Sequence, residues 1–177
     1  MATERMRVLS IDVGTRNMGW AVWDGGIQDF GVVDLQRVCN GTDYPKKIWA
    51  WKQTGFFDDA DIILVERQMQ SKMKMLACAI RCFHYDRTIM VAPQCVRRHF
   101  KTLMKNHAKN KKAHIHYVQQ YLQGAQSLKF KSHKKKDDVS DAIMQLLYWL
   151  GVHSSLSSSA SASSSVTQSS SSSPEVK

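Results

Sequence analysis

Two short apolar runs in this chain each stop at an acid: RVLSI ends at Asp12 and DIILV ends at Glu66. Runs of this length are what one buried strand requires. An isolated charge is costly to bury, so each acid marks a point where a strand leaves the core. A third acidic place, Asp138 and Asp141, opens an apolar helical stretch in KKKDDVSDAIMQLLYWL. Brought together, these carboxylates would repel one another and demand a cation. Hard oxygen donors suit Mg²⁺ or Mn²⁺.

The segments between these points have their own periods. Residues 6–13 read as a buried strand, 18–24 as a second and 27–35 as a third, broken at Gly31, with Asp24-Gly25-Gly26 as the hairpin between the last two. Residues 43–57 read as a helix with Asp43 as N-cap and Pro45 in its first turn. The continuous apolar run 61–66 suits a central parallel strand. A helix over 72–85, a strand over 88–92 and helices over 96–103 and 109–121 follow; 124–136 reads as a basic polar linker. The last helix spans about 138–150, with Gly151 as its stop and Asp137 as either its cap or a further ligand. The order β-β-β-α-β-α-β-α-α-α is mixed α/β.

Charge narrows the function. The chain carries a formal net charge of +10, and 13 of its 25 Lys and Arg lie between Asp86 and Asp137, a block with no acidic residue. Such an excess implies a polyanion, most simply nucleic acid; the alternative is a solvated basic face. From residue 154 the chain is mostly Ser, too poor in apolar groups to offset its ordering entropy. The expectation is a folded domain over 1–153 and a disordered Ser-rich tail over 154–177. No membrane span or signal peptide is visible. Cys39, Cys78, Cys82 and Cys95 do not form a disulfide pattern, which fits a soluble protein in a reducing intracellular compartment. Cys78 and Cys82, one helical turn apart, read as helix core rather than as a zinc site.

The motifs SIDVGTRNMGWAV (10–22), ILVERQ (63–68) and KKDDVSDAIMQ (135–145), with APQCVRRHF and KNKKAHIHYVQ (92–119), cover nearly all of the folded part. Together they resemble the RuvC-type Holliday junction resolvases of the ribonuclease H-like superfamily, and within these the poxvirus, iridovirus and mitochondrial fungal branch. The first motif alone also resembles the phosphate loop of actin-like ATPases and sugar kinases. Those need two such domains and a second loop, and this chain is too short for both.

The resemblance implies a ribonuclease H-like fold, with a five-stranded sheet of three antiparallel then two parallel strands flanked by helices. It implies Asp12, Glu66, Asp138 and Asp141 as metal-binding catalytic carboxylates for two Mg²⁺ ions, with Mn²⁺ as a substitute. Lys112 is the expected stabiliser of the developing phosphorane charge, Arg97 the next candidate and Lys111 an alternative. DNA-gripping residues are expected at Arg16, Arg67, Lys72, Lys74, Arg97, Arg98, Lys101, Lys109, Lys111, Lys134 and Lys135. Where relatives carry an Arg-rich segment after ERQ, this chain has Met69-Gln70-Ser71-Lys72-Met73-Lys74. Met69 there is either an apolar wedge between bases or a loop residue. The implied activity is a homodimeric, metal-dependent endodeoxyribonuclease that nicks four-way DNA junctions symmetrically, in viral recombination, repair and concatemer processing at sites of viral DNA replication. The alternatives are a non-catalytic junction-binding architectural protein and another ribonuclease H-like nuclease. The stripe Met73, Leu76, Ala77, Ile80 and Phe83 either forms the dimer surface or packs on the sheet.

Overall fold

In the computed structural model, residues 6–102 and 107–162 are described. Five strands form one sheet: β1 (Arg7–Asp12), β2 (Asn17–Asp24), β3 (Ile27–Asp34), β4 (Ile62–Glu66) and β5 (Thr88–Val91), in the order β3-β2-β1-β4-β5. The β1/β2 and β2/β3 pairs are antiparallel; β1/β4 and β4/β5 are parallel. The expected sheet is therefore present, with β1 at its centre. Strand β3 runs unbroken through Gly31, opposite Trp20. A Cβ at Gly31 would stand 3.1 Å from the Trp20 indole, so the missing side chain seats the ring rather than ending the strand.

Strand periodicity divides the sheet's two faces. Leu9, Ile11, Ile63 and Val65 enter one core with α2 (Tyr44–Lys52) and α3 (Ser71–Phe83). Val8 and Leu64 enter the other with α5 (His107–Tyr121), α6 (Gly124–Ser132) and α7 (Lys136–Ala162). By the same alternation Asp12 and Glu66 belong to the α7 face. Two shorter helices complete the chain, α1 (Leu35–Val38) and α4 (Pro93–His99). The Asp43 side chain caps α2 by accepting from the Lys46 amide at 3.0 Å.

Three further expectations change. The 124–136 linker contains helix α6, because Phe130 is buried against Phe30, with ring centroids 6.2 Å apart, and the Lys129 ammonium lies over the Phe30 ring and pairs with Asp29. Gly151 does not stop α7; Trp149 and Leu150, packed in the core, hold the helix through it to Ala162. The remainder of the Ser-rich tail, residues 163–177, lies outside the described residues. Cys78 and Cys82 are exposed, their sulfurs 3.9 Å apart, because Leu76, Ala77 and Ile80 take the buried side of α3. Those same residues, with Met73 and Phe83 partly buried, pack in the core, so that stripe is not a free dimer surface.

Candidate active site

The parallel register pairs Ile11 with Val65, so the next residues, Asp12 and Glu66, emerge side by side at the carboxyl ends of β1 and β4. Helix α7 crosses above them. Its inner side is pinned by two fully or nearly buried polar residues: the Ser10 hydroxyl donates to the Ala142 carbonyl at 2.8 Å, and the Gln145 amide donates to Ser10 Oγ at 3.0 Å and to the Ile11 carbonyl at 3.3 Å. The first turn of α7 then lies on Gly19, the β2 residue opposite Asp12. A Cβ at Gly19 would meet the Asp138 carbonyl oxygen at 2.0 Å. Only a bare Cα lets the helix approach closely enough for Asp138 and Asp141 to face the strand ends.

The four acids line one cleft of about 530 Å³, together with Arg67, Arg97 and Lys111. The crowding of charge acts on Asp12 and Asp138. Burial, then a hydrogen bond and repulsion from Glu66, then Asp141 and Asp138, hold the Asp12 carboxyl well above the usual carboxylate range. Burial, with the charge of Asp137, pushes Asp138 up to about 6. The Gln68 amide donates to Glu66 Oε2 at 2.6 Å. Among the described residues no three acidic, His or Cys side chains stand ready as a metal cage. Asp12 and Glu66 hold each other, and Asp141 is held by His114 at 2.5 Å. The donor set nevertheless fits a hard divalent cation: it is all oxygen, and a cation would relieve the repulsion that raises the Asp12 carboxyl.

The basic residues divide. Arg67, Arg97 and Lys111 border the cleft. Lys112, the expected charge stabiliser, points instead into a neighbouring basic depression of about 400 Å³ with Lys134 and Lys136. Lys111 Nζ is 2.6 Å from Asp137 Oδ2. Burial opposes the Lys111 ammonium, but that hydrogen bond and the nearby carboxylates outweigh it and raise its pKa; Asp137 is lowered in turn. Asp137 is thus a first-turn residue tied to Lys111, where a cap was expected. Arg16 is mostly exposed and lies 3.5 Å from Asp34. Lys72, Lys74, Arg98, Lys101, Lys109, Lys134 and Lys135 are exposed outside the cleft. Met69, 80% exposed, stands at the cleft rim. His114 is the site residue that charge counting missed; the signal was its place in a four-residue stripe, Asn110, His114, Val118 and Leu122, all buried.

A family model described as Poxvirus A22 protein matches residues 6–152. No curated protein sequence matches the chain. Among solved structures, the fowlpox virus resolvase in complex with its substrate Holliday junction DNA is similar, at 16% identity and TM-score 0.64, over 83% of this chain and 99% of that one. The fowlpox virus Holliday junction resolvase alone gives 15%, 0.61, 84% and 99%. Thermus thermophilus RuvC gives 10%, 0.50, 84% and 97%. At these identities the likeness establishes a shared fold.

Proposed function

Because this chain belongs to the poxvirus A22 protein family, we propose that it is a divalent-metal-dependent endonuclease that resolves four-way DNA junctions by paired symmetric nicks. The observation that carries this reading is the convergence of Asp12, Glu66, Asp138 and Asp141 in one cleft walled by Arg67, Arg97 and Lys111. Asp12 and Glu66 from the strand ends, and Asp138 and Asp141 from one face of the α7 start, would hold the metal. Two Mg²⁺ or Mn²⁺ ions would supply an activated water and a stabilised leaving oxygen. Lys111 and Arg97, on the cleft wall, meet the negative charge that grows on the phosphate during attack. Lys111 is poised for this by Asp137, which holds its ammonium charged and in place.

The exposed lysines and arginines outside the cleft grip phosphates and carry no base code. Met69 at the rim supplies an apolar edge to the junction centre. Cutting two strands symmetrically needs two such clefts, which a C2 homodimer provides. Residues 1–153 carry the activity, and the Ser-rich segment beyond is dispensable for it. No helix of the described residues is long and apolar enough to cross a membrane.

The test is a labelled four-way junction incubated with Mg²⁺ and wild-type or Asp12→Asn protein. Paired nicks from the wild type alone, with binding retained by the variant, support the reading. A wild type that binds junctions and never nicks them makes the protein an architectural binder, and preferential cutting of an RNA–DNA hybrid makes it another nuclease of this fold.

A further inference from the structure

Behind Asp141 lies a buried polar chain that neither DNA gripping nor core packing requires. His114 on α5 is 5% exposed and Thr102, beyond the end of α4, is 6% exposed. His114 Nδ1 lies 2.5 Å from Asp141 Oδ1, and His114 Nε2 lies 2.9 Å from Thr102 Oγ1. Thr102 reaches this place through Lys101, the non-glycine residue with a left-handed backbone, φ 55°, among the described residues. Such a conformation costs on the order of 1 kcal/mol and persists only where its surroundings impose it. The Thr102 amide closes the corner by donating to the Arg97 carbonyl at 2.8 Å. A strained corner therefore aims a hydroxyl at an imidazole, and the imidazole is aimed at a carboxylate of the cleft.

We propose that His114, fixed by Thr102, is a positioning residue for the divalent-cation site: it holds one Asp141 oxygen inside the protein and leaves the other facing the cleft as a cation ligand. The inference rests on the metal-dependent reading above. With the ring proton on Nδ1, the imidazole donates to Asp141 Oδ1 and Nε2 accepts from the Thr102 hydroxyl, whose other acceptor, the Arg97 carbonyl, is farther off at 3.5 Å. The reverse tautomer would set a ring lone pair against the Asp141 oxygen. His114 does not act on substrate itself. The space between it and the other acids, bounded by Asp12, Glu66, Arg97, Asp141 and Gln145, is about 20 Å³. That is room for one water and no more. Its influence therefore passes through Asp141, as outer groups orient ligands at metal sites, where their loss costs about 10–100-fold in metal affinity or activity.

The test compares wild type, His114→Ala, His114→Asn and Thr102→Val in the full-length chain. Mn²⁺ affinity is read without DNA, from the rise in melting temperature on titration and by calorimetry, and junction binding is read in EDTA. His114→Ala is expected to weaken Mn²⁺ binding about 10–100-fold and to raise the Mn²⁺ needed for half-maximal cleavage by the same factor. Junction binding in EDTA stays unchanged. His114→Asn, whose amide N–H stands where Nδ1–H does, restores most of the affinity, and Thr102→Val loses part of it. Wild-type Mn²⁺ affinity in His114→Ala overturns the proposal. So does equal loss in the Ala and Asn variants that tracks a fall in metal-free stability, which would make His114 only a packing residue. If the wild type binds Mn²⁺ in a His114-dependent way yet cuts no junction, the nuclease reading fails and the positioning role stands.

Discussion

Gly19→Ala is the sharpest probe of how the cleft is assembled. One methyl added there would lie 2.0 Å from the Asp138 carbonyl oxygen and 2.5 Å from its carbonyl carbon. Both are backbone atoms, so no side-chain rotation relieves the clash. Restoring an ordinary contact of 3.4 Å requires the first turn of α7 and β2 to separate by about 1.4 Å, the difference of the two distances. Farther along, α7 is clamped to β1 by Ser10 and Gln145, so the helix pivots at its start, where Asp138 sits. A displacement of about 1 Å at a reacting centre costs about 100-fold in rate, and overpacking of this kind costs about 1–3 kcal/mol of stability. The assay is single-turnover cleavage of a four-way junction at saturating Mg²⁺, with junction binding in EDTA and urea unfolding alongside. Gly26→Ala, whose added methyl meets nothing nearer than the Gln28 amide at 3.9 Å, is the control. Gly19→Ala cleaving at the wild-type rate, with the control, would refute the claim that close approach of α7 sets the position of Asp138.

Asp12→Asn should stabilise the metal-free protein at pH 7, by about 0.5–2 kcal/mol, since function at this site is held at a cost in stability. Burial and Glu66 raise the Asp12 pKa in the folded state, so the charged form opposes folding; differential scanning calorimetry in EDTA, followed by Mn²⁺ addition, should show the wild type gaining stability and the variant not. Gln145→Leu should cost about 1–3 kcal/mol in urea unfolding, because Ser10 Oγ loses a buried donor. His84 carries a pH dependence: burial, then Arg87 and Lys52, lower its pKa below 6.5. The unfolded chain therefore takes up the proton first as pH falls, and the stability His84 contributes is whole above pH 6.5 and lost as pH drops through its folded pKa. Unfolding midpoints of wild type and His84→Gln should converge at low pH. Junction affinity should fall about 10³–10⁵-fold between 50 and 200 mM salt if 6–10 phosphates are neutralised.

Asp12 and Glu66 were legible because each ends an apolar run long enough for one buried strand; that both stand on one face follows from the parallel register of β1 with β4. Asp138 and Asp141 were legible because a strongly apolar helix fixes which side of its first turn looks inward. The choice between Lys111 and Lys112 was not legible. Adjacent helical residues point about 100° apart, and α5 writes its inner stripe partly in polar residues, Asn110 and His114, that hydropathy does not mark. Helix α6 was hidden for a related reason: its stability depends on Phe30, 100 positions earlier, and a basic local sequence carries no trace of that partner. The exposure of Cys78 and Cys82 follows from the rotation of α3, which Leu76, Ala77 and Ile80 decide together.

The clamp between β1 and α7 also orders events in time. Ser10 meets Ala142 across 132 positions, and Gln145 meets Ser10 across 135. Contacts of such separation form late in folding, and on the ribosome the first strand emerges long before the last helix exists. Asp12 can thus meet Glu66 once β4 is made, but it meets Asp138 and Asp141 only after α7 exists, and no nascent chain that stops short of α7 brings the four acids together. If these acids are the nuclease site proposed above, the chain is born inert and becomes competent only when α7 docks.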